Sequence, residues 1–194
     1  PITDAKYFTS NFFCRFYNYA SIVSQAQPSS RGNEDNWNID VVYINYGRSI
    51  HDTSYPKVCF TGPAPSFLRR YQSMPYKHYR ANPTSCIAEN PTLHLSNLDN
   101  QNHAITHRYT VEQVNGSQSY SYVNTDHIDL DSLTFSQPYN TTVHKLFAID
   151  YTRDTTSFII RHYISDSTVY PPMVDSMVYT QGFYNYFAYD DGTP

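Results

Sequence analysis

Apolar and polar positions alternate with a period of two through the second half of the chain. Thr92 to Ser96, Ala104 to Glu112, Ser119 to Val123, Ile128 to Phe135, Val143 to Tyr151, Ser157 to Ser165 and Asp175 to Tyr179 each read as a strand. Turn-forming residues separate them at Asn97-Leu98-Asp99-Asn100, Asn115-Gly116, Gln137-Pro138 and Tyr151-Thr152-Arg153-Asp154. About seven short strands at this spacing predict an immunoglobulin- or fibronectin-like β-sandwich over residues 92–182. Within Val143 to Tyr151, Leu146, Ala148 and Asp150 would face one way and Lys145, Phe147, Ile149 and Tyr151 the other. Ile159-Ile160 breaks the alternation, which predicts a bulge or a strand buried on both faces.

The first half is sparser. Residues 8–19 alternate aromatic and polar positions, Ser24 to Asn33 form a polar loop, and Trp37 to Tyr46 is the strongest strand pattern of this half. Lys57-Val58-Cys59-Phe60 is a short strand stopped by Gly62-Pro63. These pieces predict the C-terminal strands of a jelly-roll-like β module over 1–62, whose opening strands lie elsewhere. Residues 63–91 contain Pro63, Pro65, Pro75, Pro83 and Pro91 and read as a connector, with one helical turn at Ser66 to Tyr71. Its aromatics Phe67, Tyr71, Tyr76 and Tyr79 are expected to pin it against its neighbours, and helix is expected only near residues 66–80. Phe183 to Tyr189 reads as a strand entering the turn Asp190-Asp191-Gly192, the first strand of a following module spanning 183–194. It is expected to run away from the sandwich and to be ordered by another module or another polypeptide.

Composition sharpens the β reading. Only 15% of residues are charged, against roughly 25% in ordinary soluble domains, while Tyr reaches 20. Tyr buries its ring and keeps its hydroxyl hydrogen-bonded, so the core is expected to be aromatic rather than aliphatic. A net charge of −4 argues against a nucleic-acid partner. The densest basic stretch, Arg69-Arg70 with Lys77, His78 and Arg80, reads as a solvated connector. No apolar run is long enough to cross a bilayer, so no transmembrane segment is expected. Pro1-Ile2-Thr3-Asp4 lacks the basic and hydrophobic regions of a signal peptide, as a processed chain or an internal piece would.

Three segments carry a family resemblance. Tyr186-Phe187-Ala188-Tyr189-Asp190-Asp191-Gly192-Thr193-Pro194 resembles a segment that opens a β-sandwich module in large secreted and cell-surface proteins of Bacteroidetes, many exported by the type IX secretion system. Phe12-Phe13-Cys14-Arg15-Phe16-Tyr17-Asn18-Tyr19-Ala20-Ser21-Ile22, followed by Asn36-Trp37-Asn38-Ile39-Asp40-Val41-Val42-Tyr43, resembles the closing half of a jelly-roll module in the same proteins. Cys14 stands where that family more often has a polar residue, and Asn36 and Asn38 where it often has His. Ser73-Met74-Pro75-Tyr76-Lys77 is a third match. The resemblance implies a modular build and an address on the outer cell surface or beyond it, and no reaction.

Candidate chemistry is thin. Three cysteines preclude a complete intrachain disulfide framework. Cys14 reads as a small buried thiol, and Cys59 with Cys86 is the disulfide candidate, bracketing the connector. His103 and His107 lie four apart, but on a strand that spacing is about 13 Å, too far for one ion. His127 and His144 are isolated. Calcium is the one cofactor considered, at Asp126, Asp129 and Asp131 or at Asp190 and Asp191, although Asp in turns also caps its own backbone. No nucleophile elbow or glycine-rich phosphate loop occurs, and Glu is confined to Glu34, Glu89 and Glu112, which disfavours glycosidase chemistry. Trp37, Tyr43 and Tyr46 are candidates for stacking on a cell-surface glycan, with core packing the plainer role. Asp-(Ser/Thr) triplets resembling the O-glycosylation motif of Bacteroidetes exported proteins place candidate acceptors at Ser132, Thr155, Ser167 and Ser176. Asn115 and Asn140 head N-glycosylation sequons, relevant in a eukaryotic source.

The sequence therefore predicts an all-β, non-enzymatic segment of a modular secreted or cell-surface protein: a scaffold, adhesin or accessory subunit of an outer-membrane assembly. The alternatives are an accessory β domain of a secreted hydrolase or peptidase, and a viral jelly-roll coat protein.

Overall fold

The computed structural model describes residues 4–7, 9–17 and 54–188. The chain divides into two compact units, Pro1–Thr53 and Ser54–Pro194. The described part of the first is short. A 3-10 turn at Ala5–Tyr7 is closed by the Tyr7 amide donating to the Asp4 carbonyl at 3.1 Å, and residues 9–17 are irregular. Cys14 is exposed there, not buried as its neighbours suggested. The Trp37 to Tyr46 strand pattern lies outside the described residues.

The second unit is all-β with two short helices. Its elements are β1 (Val58–Phe60), α1 (Tyr76–Ala81), α2 (Pro83–Cys86), β2 (Thr92–Asn97), β3 (His103–Gln113), β4 (Ser119–Val123), β5 (Ile128–Leu130), β6 (Gln137–Asn140), β7 (Thr156–Asp166) and β8 (Met173–Phe183). They form two antiparallel sheets, one ordered β1-β2-β6 and the other β4-β3-β7-β8, with β5 paired to the N-terminal end of β3. β3 and β7 owe their length to unbroken period-two patterns rich in β-branched and aromatic residues, and every second side chain is buried. Their register runs without interruption from Thr106↔Ser165 to Gln113↔Phe158. No bulge occurs at Ile159-Ile160: Ile160 is in the core and Ile159 lies half-buried on the outer face.

Two cores share the inner face of the larger sheet. Toward one end, Val58, Leu95, Ile105, Ile128, Leu130 and Ile164 form a small aliphatic core beneath the three-stranded sheet. Toward the other, the cover is not a sheet. Phe67, Tyr76 and Tyr79 from the connector and Phe147 from an irregular segment pack on Tyr109, Phe158, Ile160 and Phe183. Tyr76 and Tyr79 keep their hydroxyls satisfied by donating to the Ala148 and Phe147 carbonyls, at 2.8 and 3.1 Å. The connector is thus part of the domain's interior, as its aromatics suggested, but far more completely than pinning implies.

Several expectations are corrected. Helix lies at Tyr76–Ala81 and Pro83–Cys86 rather than at Ser66 to Tyr71. Asn82 caps α2 by accepting from the Ser85 amide at 3.4 Å, and Pro83 takes its first turn. β1, expected to close the N-terminal module, instead pairs with β2. The stretch from Val143 to Tyr151 is not a strand; it descends from the surface to insert Phe147. Ile128 to Phe135 shortens to Ile128–Leu130, and the supposed turn at Gln137-Pro138 belongs to strand β6. Proline fits there because β6 is an edge strand and needs no outward donor.

The tail does not leave the sandwich as far as residue 188. Phe183 ends β8 with a fully buried ring. The chain then folds back along the connector: the Tyr76 amide donates to the Tyr184 carbonyl at 3.3 Å, and Ser73 and Ala188 exchange backbone bonds at 3.4 and 2.9 Å. Phe187 rests between Tyr71 and His78, with ring centroids 4.8 and 5.2 Å away. Gly182 lets the returning Tyr184 ring lie close to the strand: a Cβ there would be 2.2 Å from Tyr184 Cε2, so a larger residue would displace that ring.

Candidate functional site

The buried histidines and carboxylate that the fold brings together lie along the inner face of the larger sheet. β3 presents His103 and His107 inward because both occupy buried positions of its alternation, and β7 presents His162 and Asp166 for the same reason. They sort into two neighbouring sites with opposite electrostatics.

The first site is a closed ionic bridge. His103 Nδ1 lies 2.7 Å from Asp166 Oδ2, and Nε2 lies 3.0 Å from Asp99 Oδ2 in the loop after β2. Burial alone would depress the His103 pKa, but the two carboxylates outweigh it and raise the value above the ordinary range. Burial works against the Asp166 carboxylate too, yet the Thr168 hydroxyl and amide, donating at 2.6 and 2.8 Å, and His103 hold its pKa down. The bridge ties the start of β3 to the end of β7 and to the loop between β2 and β3. Both ring nitrogens are committed and the ring is only 5% exposed, so His103 is not placed to exchange protons with a substrate.

The second site has no countercharge among the described residues. His107 Nε2 faces His162 Nδ1 at 3.1 Å, with both rings fully buried beside Phe67, Tyr109 and Tyr139. One proton lies between the facing nitrogens, so one ring donates and the other accepts. The outer atoms, His107 Nδ1 and His162 Nε2, have no hydrogen-bond partner among the described residues. Whichever tautomer is present, one of them is a buried donor and the other a buried acceptor, each left unsatisfied. Burial lowers His107 to about 4, and burial with the neighbouring His107 lowers His162 to about 3, so both rings are neutral at pH 7. The pair occupies the seam between the cores, with Tyr109 and Ile160 on one side and Ile105 and Ile164 on the other.

The remaining candidates stay apart. Asp126, Asp129 and Asp131 are all exposed, and among the described residues no three His, Cys, Asp or Glu side chains converge as a metal would need. Asp190 and Asp191 lie outside the described residues, as do Trp37, Tyr43 and Tyr46. Cys59 on β1 and Cys86 on α2 are thiols, not a disulfide. His144 stacks on Tyr122 with centroids 3.5 Å apart, and His127 is exposed. Ser132, Thr155, Ser167 and Ser176 are all exposed, as modification would require. Among the described residues no helix is long and apolar enough to cross a membrane.

His162 and Asp166 were the partners missed in the sequence. Their signal was positional: each falls on the inward register of Phe158, Ile160 and Ile164, where a polar residue demands a partner. Compared with known proteins, the chain matches no family model, no curated protein and no solved structure.

Proposed function

We propose that this chain is a non-catalytic segment of a modular secreted or cell-surface protein, where it serves as scaffold, adhesin or accessory subunit. The observation that carries this reading is the disposition of its acid–base groups. The buried histidines and Asp166 are directed at one another inside the sandwich, where they hold strands together and no substrate reaches them. Its outer surface, in contrast, offers hydroxyls and tyrosines: Ser132, Thr155, Ser167 and Ser176 are open to O-glycan attachment, and Tyr151 and Tyr170 stand 79% and 97% exposed. The resemblance of the 186–194 segment to a Bacteroidetes module boundary supplies the cell-surface address and the expectation of a following module.

Intact mass and peptide mapping of the native source protein test this reading. The expected result is a larger protein with further β modules and with glycopeptides covering Ser132, Thr155, Ser167 or Ser176. Hydrolysis of a sugar or peptide substrate by the purified chain would overturn it. A hydrolase or peptidase module elsewhere in the same polypeptide would replace it with the accessory-domain reading.

A further inference from the structure

The orphaned polar atoms of the fold are shared between the histidine pair and one short strand. Among the described residues three buried side-chain atoms lack a hydrogen-bond partner: His107 Nδ1, His162 Nε2 and the hydroxyl of Thr141, the residue that follows β6. β6 also covers the pair, since the Tyr139 ring stands edge-on to the His107 ring with centroids 5.3 Å apart. Phe67 of the connector stands edge-on to His162 at 5.8 Å. The two covers are held very differently. The Phe67 amide and the Ser66 hydroxyl both donate to Gln181 Oε1, and the Phe67 ring lies inside the aromatic core. β6 is an edge strand of four residues that pairs with β2, and one of the four is Pro138. The Tyr139 hydroxyl is anchored by the Asn124 side-chain amide at 2.8 Å.

We propose that β6 is an acid-released strap: charging the His107–His162 pair frees residues 137–141 from the sandwich while the β4-β3-β7-β8 sheet stays folded. A first added proton must sit on a buried outer nitrogen that has no partner. A second would set two N–H groups head to head across 3.1 Å. A dry site tolerates neither, so water must enter. The rings cannot part along the sheet, because Tyr109↔His162 and His107↔Ile164 belong to an unbroken ladder. Water therefore comes from the cover side, and of the two covers β6 has the fewer bonds to break. Releasing it also returns the Thr141 hydroxyl to solvent. Two pins bound the strap. The Ser136 amide donates to the Ser96 hydroxyl at 2.8 Å, and the Tyr109 hydroxyl donates to the Thr142 carbonyl at 3.2 Å. Release uncovers the outer edge of β2, whose other side is paired with β1.

The charged groups around the pair are committed elsewhere. On β3 and β7 the inward His103 and Asp166 are closed on each other and, through His103, on Asp99. From β8 the inward Asp175 accepts from the Phe60 amide at 2.9 Å. Tyr109 and Tyr139 face the pair, with Tyr122 of β4 against Tyr109, and phenols carry no charge in acid. The connector brings Phe67 and no charge. Beside the strap, Asp126 and Asp129 are exposed. His94 on β2 is the other histidine in reach, its Nδ1 lying 3.2 Å from the Ser136 hydroxyl. The device is independent of where the protein works.

Hydrogen exchange of the full 194-residue chain, read by mass spectrometry at pH 7.0 and 5.5 and corrected for the chemical rate, tests the proposal. With histidine at its ordinary 6.5 in the open form, protection over residues 137–141 should fall about eightfold if one ring is charged there and about seventyfold if both are. Peptides from β3 and β7 should exchange more slowly than the strap at both pH values. Low urea should speed those peptides and leave the strap unchanged, because a local opening exposes little surface. His94→Gln should keep the pH effect, and His107→Leu with His162→Phe should abolish it. Thr141→Val removes the orphaned hydroxyl and leaves the pair, so strap exchange should slow at both pH values with their ratio kept. The parent chain and Thr141→Val carry the test if the double variant does not fold. Strap exchange without pH dependence beyond the chemical rate would overturn the proposal, as would a strap that exchanges as one with the long strands. So would loss of the pH effect in His94→Gln or Thr141→Val, or its survival in the double variant.

Discussion

His103 and His107 stand four residues apart on β3, face the same way and are both shut away from water, yet the fold treats their protons in opposite ways. Burial penalises the charged form of each. At His103 the two flanking carboxylates reverse the outcome and the imidazolium is favoured. At His107 the ring's hydrogen-bond partner among the described residues is another imidazole, and the penalty stands. Burial sets the size of the effect; the charge of the partner sets its sign. One strand therefore carries an ionic clamp at its start and, one inward pair further on, a neutral pair at the seam between two cores.

Removing the clamp should have the largest effect. His103→Ala leaves Asp166, 1% exposed, without its cation and beside a second carboxylate, a change expected to cost about 3–5 kcal/mol. Urea unfolding at pH 7 measures it, and a loss under 1 kcal/mol would show that the bridge contributes little.

Acid should expose the pair. The folded-state values of His107 and His162, about 4 and about 3, lie below the 6.5 of the unfolded chain, so the unfolded state takes up protons that the folded state refuses. Their contribution is fully present above pH 6.5 and is lost as pH falls from 6.5 toward 4. The slope approaches two protons, roughly 2.7 kcal/mol per pH unit. His103 has the opposite sign: its contribution is fully present below pH 6.5 and fades as pH rises through its raised folded value. Unfolding free energies at pH 4.5, 5.5, 6.5 and 8, measured at fixed salt, separate the two slopes.

Partial repair of the pair should be worse than full repair. His162→Phe alone strips His107 Nε2 of its partner and is expected to destabilise by about 1–3 kcal/mol at pH 7. His107→Leu with His162→Phe removes both unsatisfied atoms, should cost less than the single change, and should flatten the slope below pH 6.5. Thermal melts at pH 5 and 7 check both. The smallest effect is expected at the tail, where Phe187→Ala loses contacts with Tyr71 and His78 on a ring that is 43% exposed. About 0.5–1.5 kcal/mol should go, together with faster proteolysis after Phe183.

The long strands were legible because their environment is simple. β3 and β7 lie between neighbours, so a period of two maps directly onto inside and outside, and their ends, like those of β4, fall within a residue of the expected positions. The aromatic core was also legible as composition. Its cover was not, because Phe67, Tyr76 and Tyr79 reach the core from a segment without periodicity, and prolines in the connector looked like exposure. Phe147 shows the opposite error: its alternation imitates a strand, but only that one ring is needed inside. The tail was misread because its aromatics seemed too many for one sandwich, whereas the connector supplies Tyr71, Tyr76 and His78 to receive them. Of the candidate site, the spacing of His103 and His107 on one face of a strand was visible in the sequence. Their partners required the β3–β7 register, which juxtaposes residues more than fifty positions apart.

Histidine side-chain NMR over pH 3 to 8, with His103, His107 and His162 assigned by single substitution, tests the opposing behaviour of the two sites most directly. The expected spectrum keeps His107 and His162 neutral until pH falls well below 5, while His103 remains protonated as pH passes 6.5. Titration of His107 and His162 near 6.5 in the folded protein, or a His103 that loses its proton first, would contradict it.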